Sequence, residues 1–345
     1  MPHSSSPKLQ WAGKSSEPAS PGPLGRLVPD AADASVRLVR GDNLHVLETL
    51  QLETPGQVTL AYLDPPFLTG KVHHQVTRSR NLATGEMERV TRPAFDDRWT
   101  EMTDYLDALA QRVRAIRPLL AAHGSLVVHV DTRTSHYAKV LCDEIFGPEC
   151  FASEVVWRYR RWPSKTKNFQ RMHDVMLRYV KDPDAPARFN QLYEPLAAST
   201  LKTWGTKKQL AIVGSSGRRL RSSSTEVESQ GTPLGDVWDI GIIAPVAKER
   251  TGYPTQKPEA LLERWIRACT DPGDLVLDPY VGSGTTLATA ARLGRRAIGI
   301  DCGAEALTVA AERLRQAGIP FVEQELKREL AKARRPSAEA KQIAS

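Results

Sequence analysis

The sequence has little with which to build a cross-linked, metal-bound or membrane-spanning protein. Its 345 residues include four cysteines, Cys142, Cys150, Cys269 and Cys302, none in a C-x-x-C pair or beside histidines at ligand spacing. A disulfide framework and a zinc module are therefore excluded, no metal is expected, and a reducing cytoplasm fits. No run of about 18 apolar residues is present to cross a bilayer. The N-terminus, MPHSSSPKLQWAGKSSEPASPGPLG, lacks the apolar core of a signal peptide. No repeat of solenoid length is found. Two nucleotide-binding signatures also fail. No Lys follows Gly284, as a phosphate-binding P-loop requires, and Leu287 stands where a dinucleotide fingerprint needs its third glycine. An ATPase and a dehydrogenase fall behind on that account.

What is present is a globular composition, 41% hydrophobic and 25% charged, with a net charge of +7. The length suits a catalytic domain of about 200 residues plus a smaller module. The positive charge is concentrated: residues 151–221 hold 15 Lys and Arg against 5 Asp and Glu, so the rest of the chain is slightly acidic. Trp157, Tyr159, Trp162, Phe169 and Trp204 are interleaved with these cations, a mixture suited to phosphate contact and base stacking as well as to a plain solvated face. Arg158, Arg160, Arg161, Lys165, Lys167, Lys207, Lys208, Arg218 and Arg219 are the candidate contacts to a polyanion.

Four apolar, β-branched runs end at an acidic residue: Val58 to Leu63 before Asp64, Leu126 to Val130 before Asp131, Leu275 to Leu277 before Asp278, and Ala297 to Ile300 before Asp301. They read as buried parallel strands, with helical patterns at Thr103 to Leu120, Pro258 to Thr270, Thr285 to Leu293 and Ala304 to Ala317 between them. Alternation of this kind implies an open α/β sheet, whose ligand crevice lies outside the carboxyl ends of its strands. Asp64, Asp278 and Asp301 are thereby expected to converge. Residues 1–33 are expected to be disordered. Residues 34–181 and 251–325 should form the two parts of the α/β domain, 182–250 an inserted smaller module rich in Pro, Gly and Ser, and 326–345 a basic tail.

Two motifs carry the chemistry. In DLVLDPYVGSGTTLATAARLGRRAIGID a strand, a Gly-rich turn and a helix are followed by a second strand ending at Asp301. Gly282 and Gly284 allow a tight turn and a close ligand, and a distal acid suits ribose hydroxyls, so a nucleoside-containing cofactor is implied. In Asp64-Pro65-Pro66-Phe67 two prolines fix the backbone and remove two donors, leaving the Asp64 carboxylate and the Pro65 carbonyl as rigid acceptors. Such a pair suits a primary amine whose lone pair is delocalised into an aromatic ring, with Phe67 placed to stack on that ring.

Together these segments resemble the S-adenosylmethionine-dependent DNA amino-methyltransferases of the β-type order, in which the catalytic motif precedes the cofactor motif. The family's [DNS]-P-P-[YFW] is matched by Asp64 to Phe67, its D-P-[FY]-x-G-S-G-T-T by Asp278 to Thr286, and its P-T-Q-K-P by Pro254 to Pro258. GDNLHVLETL, with Asp42, is similar to the segment whose acid lies near the cofactor adenine, and HDVMLRYVK to the one before the target-recognition region. The resemblance spans residues 36 to 315. It implies a Rossmann-like methyltransferase sheet with helices on both faces and an inserted target-recognition region. S-adenosylmethionine would be held by Asp42, Thr255, Lys257, Asp278, Pro279, Tyr280, Gly282, Ser283, Gly284, Thr285, Thr286 and Asp301. Asp64, Pro65, Pro66 and Phe67 would act on a base flipped out of double-stranded DNA.

Asp64 favours N6 of adenine over N4 of cytosine, whose enzymes often carry Ser there. None of the four cysteines follows a proline, which argues against thiolate chemistry at cytosine C5. RNA or protein-amide methylation, and an inactive DNA-binding relative, remain as remoter alternatives. A homodimer, a cognate restriction endonuclease and a place at the bacterial nucleoid are compatible with the resemblance.

Overall fold

The computed structural model describes residues 7–14, 25–30, 33–80, 87–218 and 223–328. Along the chain the strands are β1 (Gly25–Val28), β2 (Val36–Arg40), β3 (Val58–Leu63), β4 (Val72–Arg80), β5 (Met87–Asp96), β6 (Leu120–Val130), β7 (Phe151–Arg158), β8 (His173–Val180), β9 (Tyr193–Glu194), β10 (Lys207–Leu210), β11 (Ser223–Glu228), β12 (Thr232–Pro233), β13 (Val237–Asp239), β14 (Leu275–Asp278), β15 (Arg296–Asp301) and β16 (Val322–Arg328). The helices are α1 (Asn43–Glu53), α2 (Met102–Ile116), α3 (Ser135–Phe146), α4 (Ala198–Trp204), α5 (Glu259–Cys269), α6 (Thr285–Arg292) and α7 (Ala304–Gln316).

The principal sheet runs in the order β1-β16-β2-β15-β14-β3-β6-β8-β7-β13. From β16 to β6 neighbouring strands are parallel, while β8 runs antiparallel to both β6 and β7. Every residue of β3 is buried, as a strand covered on both faces requires. Its side chains alternate between two cores. Ala61 and Leu63 pack among residues of α1, α2 and α3, whereas Leu60 and Tyr62 pack among residues of α5, α6 and α7. Trp265 on α5 is a fully buried anchor of the second core, so Trp265→Ala would cost about 3–5 kcal/mol.

From β14 the chain passes through α6 to β15 on one side; from β3 it passes through α2 to β6 on the other. Where adjacent strands lead away in opposite directions, their carboxyl ends open a crevice. Asp278 and Asp64 stand at those two ends. This is the α/β sheet with helices on both faces that the pattern implies.

Two boundaries differ from expectation. Within the stretch 1–33, Gly25–Val28 pairs with β16, and Leu9 and Trp11 pack on the first core, where the Trp11 indole N–H donates to Asp107 at 3.1 Å. A few apolar and aromatic residues suffice to dock a segment otherwise poor in them. At the other end β16 continues to Arg328, past the expected start of the tail; residues 329–345 lie outside the described residues. Pattern alone does not announce α1. Its buried side includes polar Asn43 and Thr49 while Leu52 is exposed, so its amphipathic stripe is blurred.

Candidate active site

A cavity of about 410 Å³ opens at the carboxyl ends of β3, β14 and β15. It gathers Asp64, Pro65, Pro66 and Phe67 from the first motif and Asp278, Tyr280, Gly282, Ser283, Thr285 and Thr286 from the second. Asp301, Thr255 and Lys257 join them, 193 residues separating Lys257 from Asp64. Three expected residues lie outside its lining. Pro279 turns its carbonyl to the Asn43 amide at 3.0 Å, and Gly284 caps α6 with φ +75°, where a Cβ would come within 2.9 Å of Ala310 Cα. Asp42 is half-exposed and caps α1, accepting from Leu44 N at 3.0 Å and facing Arg112 at 3.5 Å. Its contacts are those of a helix cap.

Asp97, which no motif singles out, holds the turn that follows Asp64-Pro65-Pro66. It is buried, and its carboxylate accepts from the backbone N–H of Phe67 (3.2 Å), Leu68 (2.9 Å) and Thr69 (2.9 Å) and from the Thr69 hydroxyl (2.6 Å). Leu68 sits at φ +57°, a strained conformation for a branched side chain that these bonds stabilise. Asp97 follows the β4–β5 hairpin, a long antiparallel ribbon that brings it back beside residues 67–69. Its position 30 residues after Phe67 carries no local sequence signal.

The PTQKP turn is braced in a similar way. Gln256 accepts from Thr251 N and donates to the Glu249 carbonyl, and the Glu249 carboxylate receives the free N–H of Glu259 at the start of α5. With Thr255 at φ +58°, the turn directs Lys257 into an ion pair with one oxygen of Asp64, its ammonium 4.9 Å from the Phe67 ring centre. The other oxygen, Asp64 Oδ1, is buried and has no hydrogen-bond partner. It remains free to accept from a ligand.

Five acids, Asp64, Asp96, Asp97, Asp278 and Asp301, line this space with one lysine. Asp278 is pushed up to about 7, chiefly by burial and further by the charges of Asp64 and Asp301, against hydrogen bonds from Thr286 and Tyr280. Burial also raises Asp301, although its oxygens accept from Gly282 N at 3.1 Å and Gly303 N at 2.8 Å. A cationic ligand would relieve both costs.

The basic residues lie in two places. Because β7 runs antiparallel to β8 and β8 antiparallel to β6, the loop after β7 emerges at the same sheet edge as Asp64. It presents Arg160, Arg161, Lys165 and Lys167 to solvent together with Trp162, 91% exposed, and Phe169, 98% exposed. Trp157 and Tyr159 are buried. Arg158 is spent on an ion pair with Asp239 and Lys207 on one with Glu228, while Lys208 is exposed on β10 and Arg218 in the loop that follows it. Arg219 lies outside the described residues.

The sheet order, with the Asp64–Phe67 turn and the Gly282–Thr286 loop at one crevice, is that of a Rossmann-like methyltransferase fold. Residues 58–312 match the family described as DNA methylase, and the chain belongs to it. It is 27% identical over 278 residues, covering 80% of this chain and 82% of its relative, to the DNA adenine methyltransferase YhdJ of Escherichia coli K12. The Type II methyltransferase M.HpaI of Haemophilus parainfluenzae is 27% identical over 81% of this chain and 74% of its own length. Among solved structures the M1.HpyAVI–SAM complex shares the fold, with a TM-score of 0.50 and 19% identity over 81% of this chain and 98% of that one. The protein is thus a DNA methyltransferase. Among the described residues no helix is long and apolar enough to cross a membrane.

Proposed function

We propose that the enzyme transfers a methyl group from S-adenosylmethionine to N6 of an adenine flipped out of double-stranded DNA. The observation that carries this reading is the unpartnered, buried Oδ1 of Asp64 in a cavity shared with Asp278 and Asp301. The cavity suits the donor. Its carboxylates outnumber its lysine, and Gly282, at φ +46°, leaves room that a Cβ would take 3.2 Å from the Tyr253 ring. Asp301 would hold ribose hydroxyls, and Asp278 and the residues around Gly282 the rest of the molecule. Once bound, the donor supplies an activated methyl on a sulfonium sulfur.

The chain's own contribution is positioning and charge. Asp64 Oδ1 and the Pro65 carbonyl accept the two amine hydrogens, which helps localise the nitrogen lone pair, and Phe67 lies against the base. Lys257, paired with Asp64 Oδ2, orients that carboxylate. Adenine is favoured by Asp64 and by the likeness to a DNA adenine methyltransferase. The β7–β8 loop and the exposed cations of residues 182–250 would contact phosphates and read the site.

The test uses purified full-length protein, labelled methyl donor and DNA amplified with either N6-methyl-dATP or N4-methyl-dCTP. Label should enter the DNA whose cytosines are blocked and not the DNA whose adenines are blocked. The opposite pattern moves the substrate to cytosine N4, and label entering only RNA or protein rejects DNA.

A further inference from the structure

A second cavity, of about 690 Å³, lies at the far edge of the sheet from the crevice, where α2 and α3 end and β6 begins. Strands β3 and β6 run parallel, with Val58 opposite Leu120, so the amino end of β6 is remote from Asp64 at the carboxyl end of β3. The segment 8–14, which docks through Leu9 and Trp11, completes the rim. The volume is within the range of small-molecule sites.

Five cations line this cavity, Lys8, Lys14, Arg114, Arg117 and Lys181, against one acid, Glu144. Glu144 is already committed. Its two oxygens accept from the Lys14 ammonium and from the Leu9 backbone N–H at 2.6 Å, which ties the N-terminal segment to α3. The Lys181 ammonium donates to the Arg117 carbonyl, and the Arg117 guanidinium lies 5.6 Å from the Phe146 ring centre. Among the described residues no carboxylate pairs with the four cations other than Lys14. Burial, and after it the charge of Arg117, push the Lys181 ammonium below its ordinary range against the opposing charge of Asp182. Arg114 carries the argument furthest. Its Nη1 is buried, yet it has no hydrogen-bond partner among the described residues. Arg114 stands in the last turn of α2, where the helix dipole favours a cation. A capping side chain would also donate to the last carbonyls, and this nitrogen makes no such bond. A guanidinium N–H buried without an acceptor is costly, and an anion entering the cavity would remove that cost.

We infer that this cavity is a binding site for a small polyphosphate anion, held by the Arg114 and Arg117 guanidiniums with Lys8 and Lys181 around it. Guanidiniums match the paired oxygens of a phosphate, and the lysines add point charges. A single carboxylate would leave three of the four unpaired cations uncompensated. The phosphates supply the acceptor that Arg114 Nη1 lacks, and by bridging α2 to residues 8–14 they fasten the N-terminal segment. A DNA duplex is another polyanion, but the position disfavours it. The exposed cations of the β7–β8 loop stand at the opposite edge of the sheet, beside Asp64.

The inference is independent of the methyl-transfer reading, and its test needs no turnover. Inorganic tripolyphosphate is titrated calorimetrically into the full-length protein at constant ionic strength, beside thermal unfolding with and without it. The wild type should bind one equivalent with a Kd below about 100 µM and unfold at a higher temperature in its presence. Arg114→Gln should weaken binding by about tenfold or more, while the ligand-free variant unfolds no lower than the wild type because the unpartnered guanidinium is gone. A purely structural Arg114 predicts the reverse, a lower ligand-free Tm with tripolyphosphate affinity unchanged, and that result would overturn the inference. Lys8→Gln, at the exposed rim, should also weaken binding and supplies the reading if Arg114→Gln does not fold. Lys165→Gln, in the β7–β8 loop, should leave tripolyphosphate affinity unchanged. ATP titrated in the same way identifies the source of the phosphates: tighter binding than tripolyphosphate makes a nucleotide the ligand, weaker binding an inorganic polyphosphate, and either supports the site. Absence of saturable binding, or displacement of tripolyphosphate from the Lys165→Gln variant by a short DNA duplex, would overturn it.

Discussion

The crevice at the carboxyl ends of β3, β14 and β15 and the region 182–250 are built on opposite principles. At the crevice the turns are braced by carboxylates: Asp97 receives the backbone N–H groups of Phe67, Leu68 and Thr69, and Asp301 those of Gly282 and Gly303. In the 182–250 region the strands are short two-stranded ladders, α4 buries none of its residues, and Leu210, Val213 and Val227 are exposed. An exception is β13, which joins the principal sheet beside β7. The difference teaches where this protein carries its rigidity. Chemistry needs sub-ångström placement and draws on the core for it, whereas phosphate contact tolerates a looser surface.

Substitutions on the two sides should therefore differ in kind. Asp64→Ala has the largest expected effect, a fall in transfer of about 10³-fold or more with cofactor and DNA binding retained, read from label transfer beside binding isotherms. Asp97→Ala strands three backbone donors, and should cost at least about 3 kcal/mol in denaturant unfolding and lower the rate by about 10²-fold. If it unfolds and turns over like the wild type, Asp97 does not hold the turn. Gly284→Val combines a positive φ with a 2.9 Å approach to Ala310, and should weaken cofactor binding and cost about 1–3 kcal/mol of stability.

The pH dependence follows from Asp278. Its folded carboxyl titrates near 7, above its ordinary range, so the folded state takes up a proton relative to the unfolded one. The contribution of Asp278 to stability is full below about pH 4 and is lost as pH rises through 7. Binding of a cation favours the ionised form, so cofactor affinity should rise about tenfold between pH 6 and 8, and Asp278→Asn should flatten that rise. A flat wild-type isotherm series would contradict the assignment. The smallest effects belong to the exposed cations. Lys165→Ala or Lys167→Ala should lower the salt slope of DNA binding by about 1 each and leave cofactor affinity alone. An unchanged slope would remove the β7–β8 loop from the DNA interface.

How much of this was legible in the sequence differs between the same two regions. The parallel strands, their terminal acids and the helices after them are announced by short-range pattern, because a strand buried on both faces must be apolar throughout and a helix packed on it must be amphipathic. The convergence of Asp64, Asp278 and Asp301 follows from topology alone. Asp97 was not legible, because its contacts depend on the return of the β4–β5 hairpin, which joins residues distant in sequence. Arg158 and Lys207 look like free cations in a count of charges, yet each faces an acid on a neighbouring strand. Charge density indicated the surface without identifying which members are spent inside it.

The most direct test of the account is mass-spectrometric nucleoside analysis of DNA from cells expressing the full chain, compared with cells expressing Asp64→Ala. The account predicts N6-methyladenine in the first and none above background in the second. Equal levels in both would contradict the role given to Asp64, and no modified base in either would contradict the function itself.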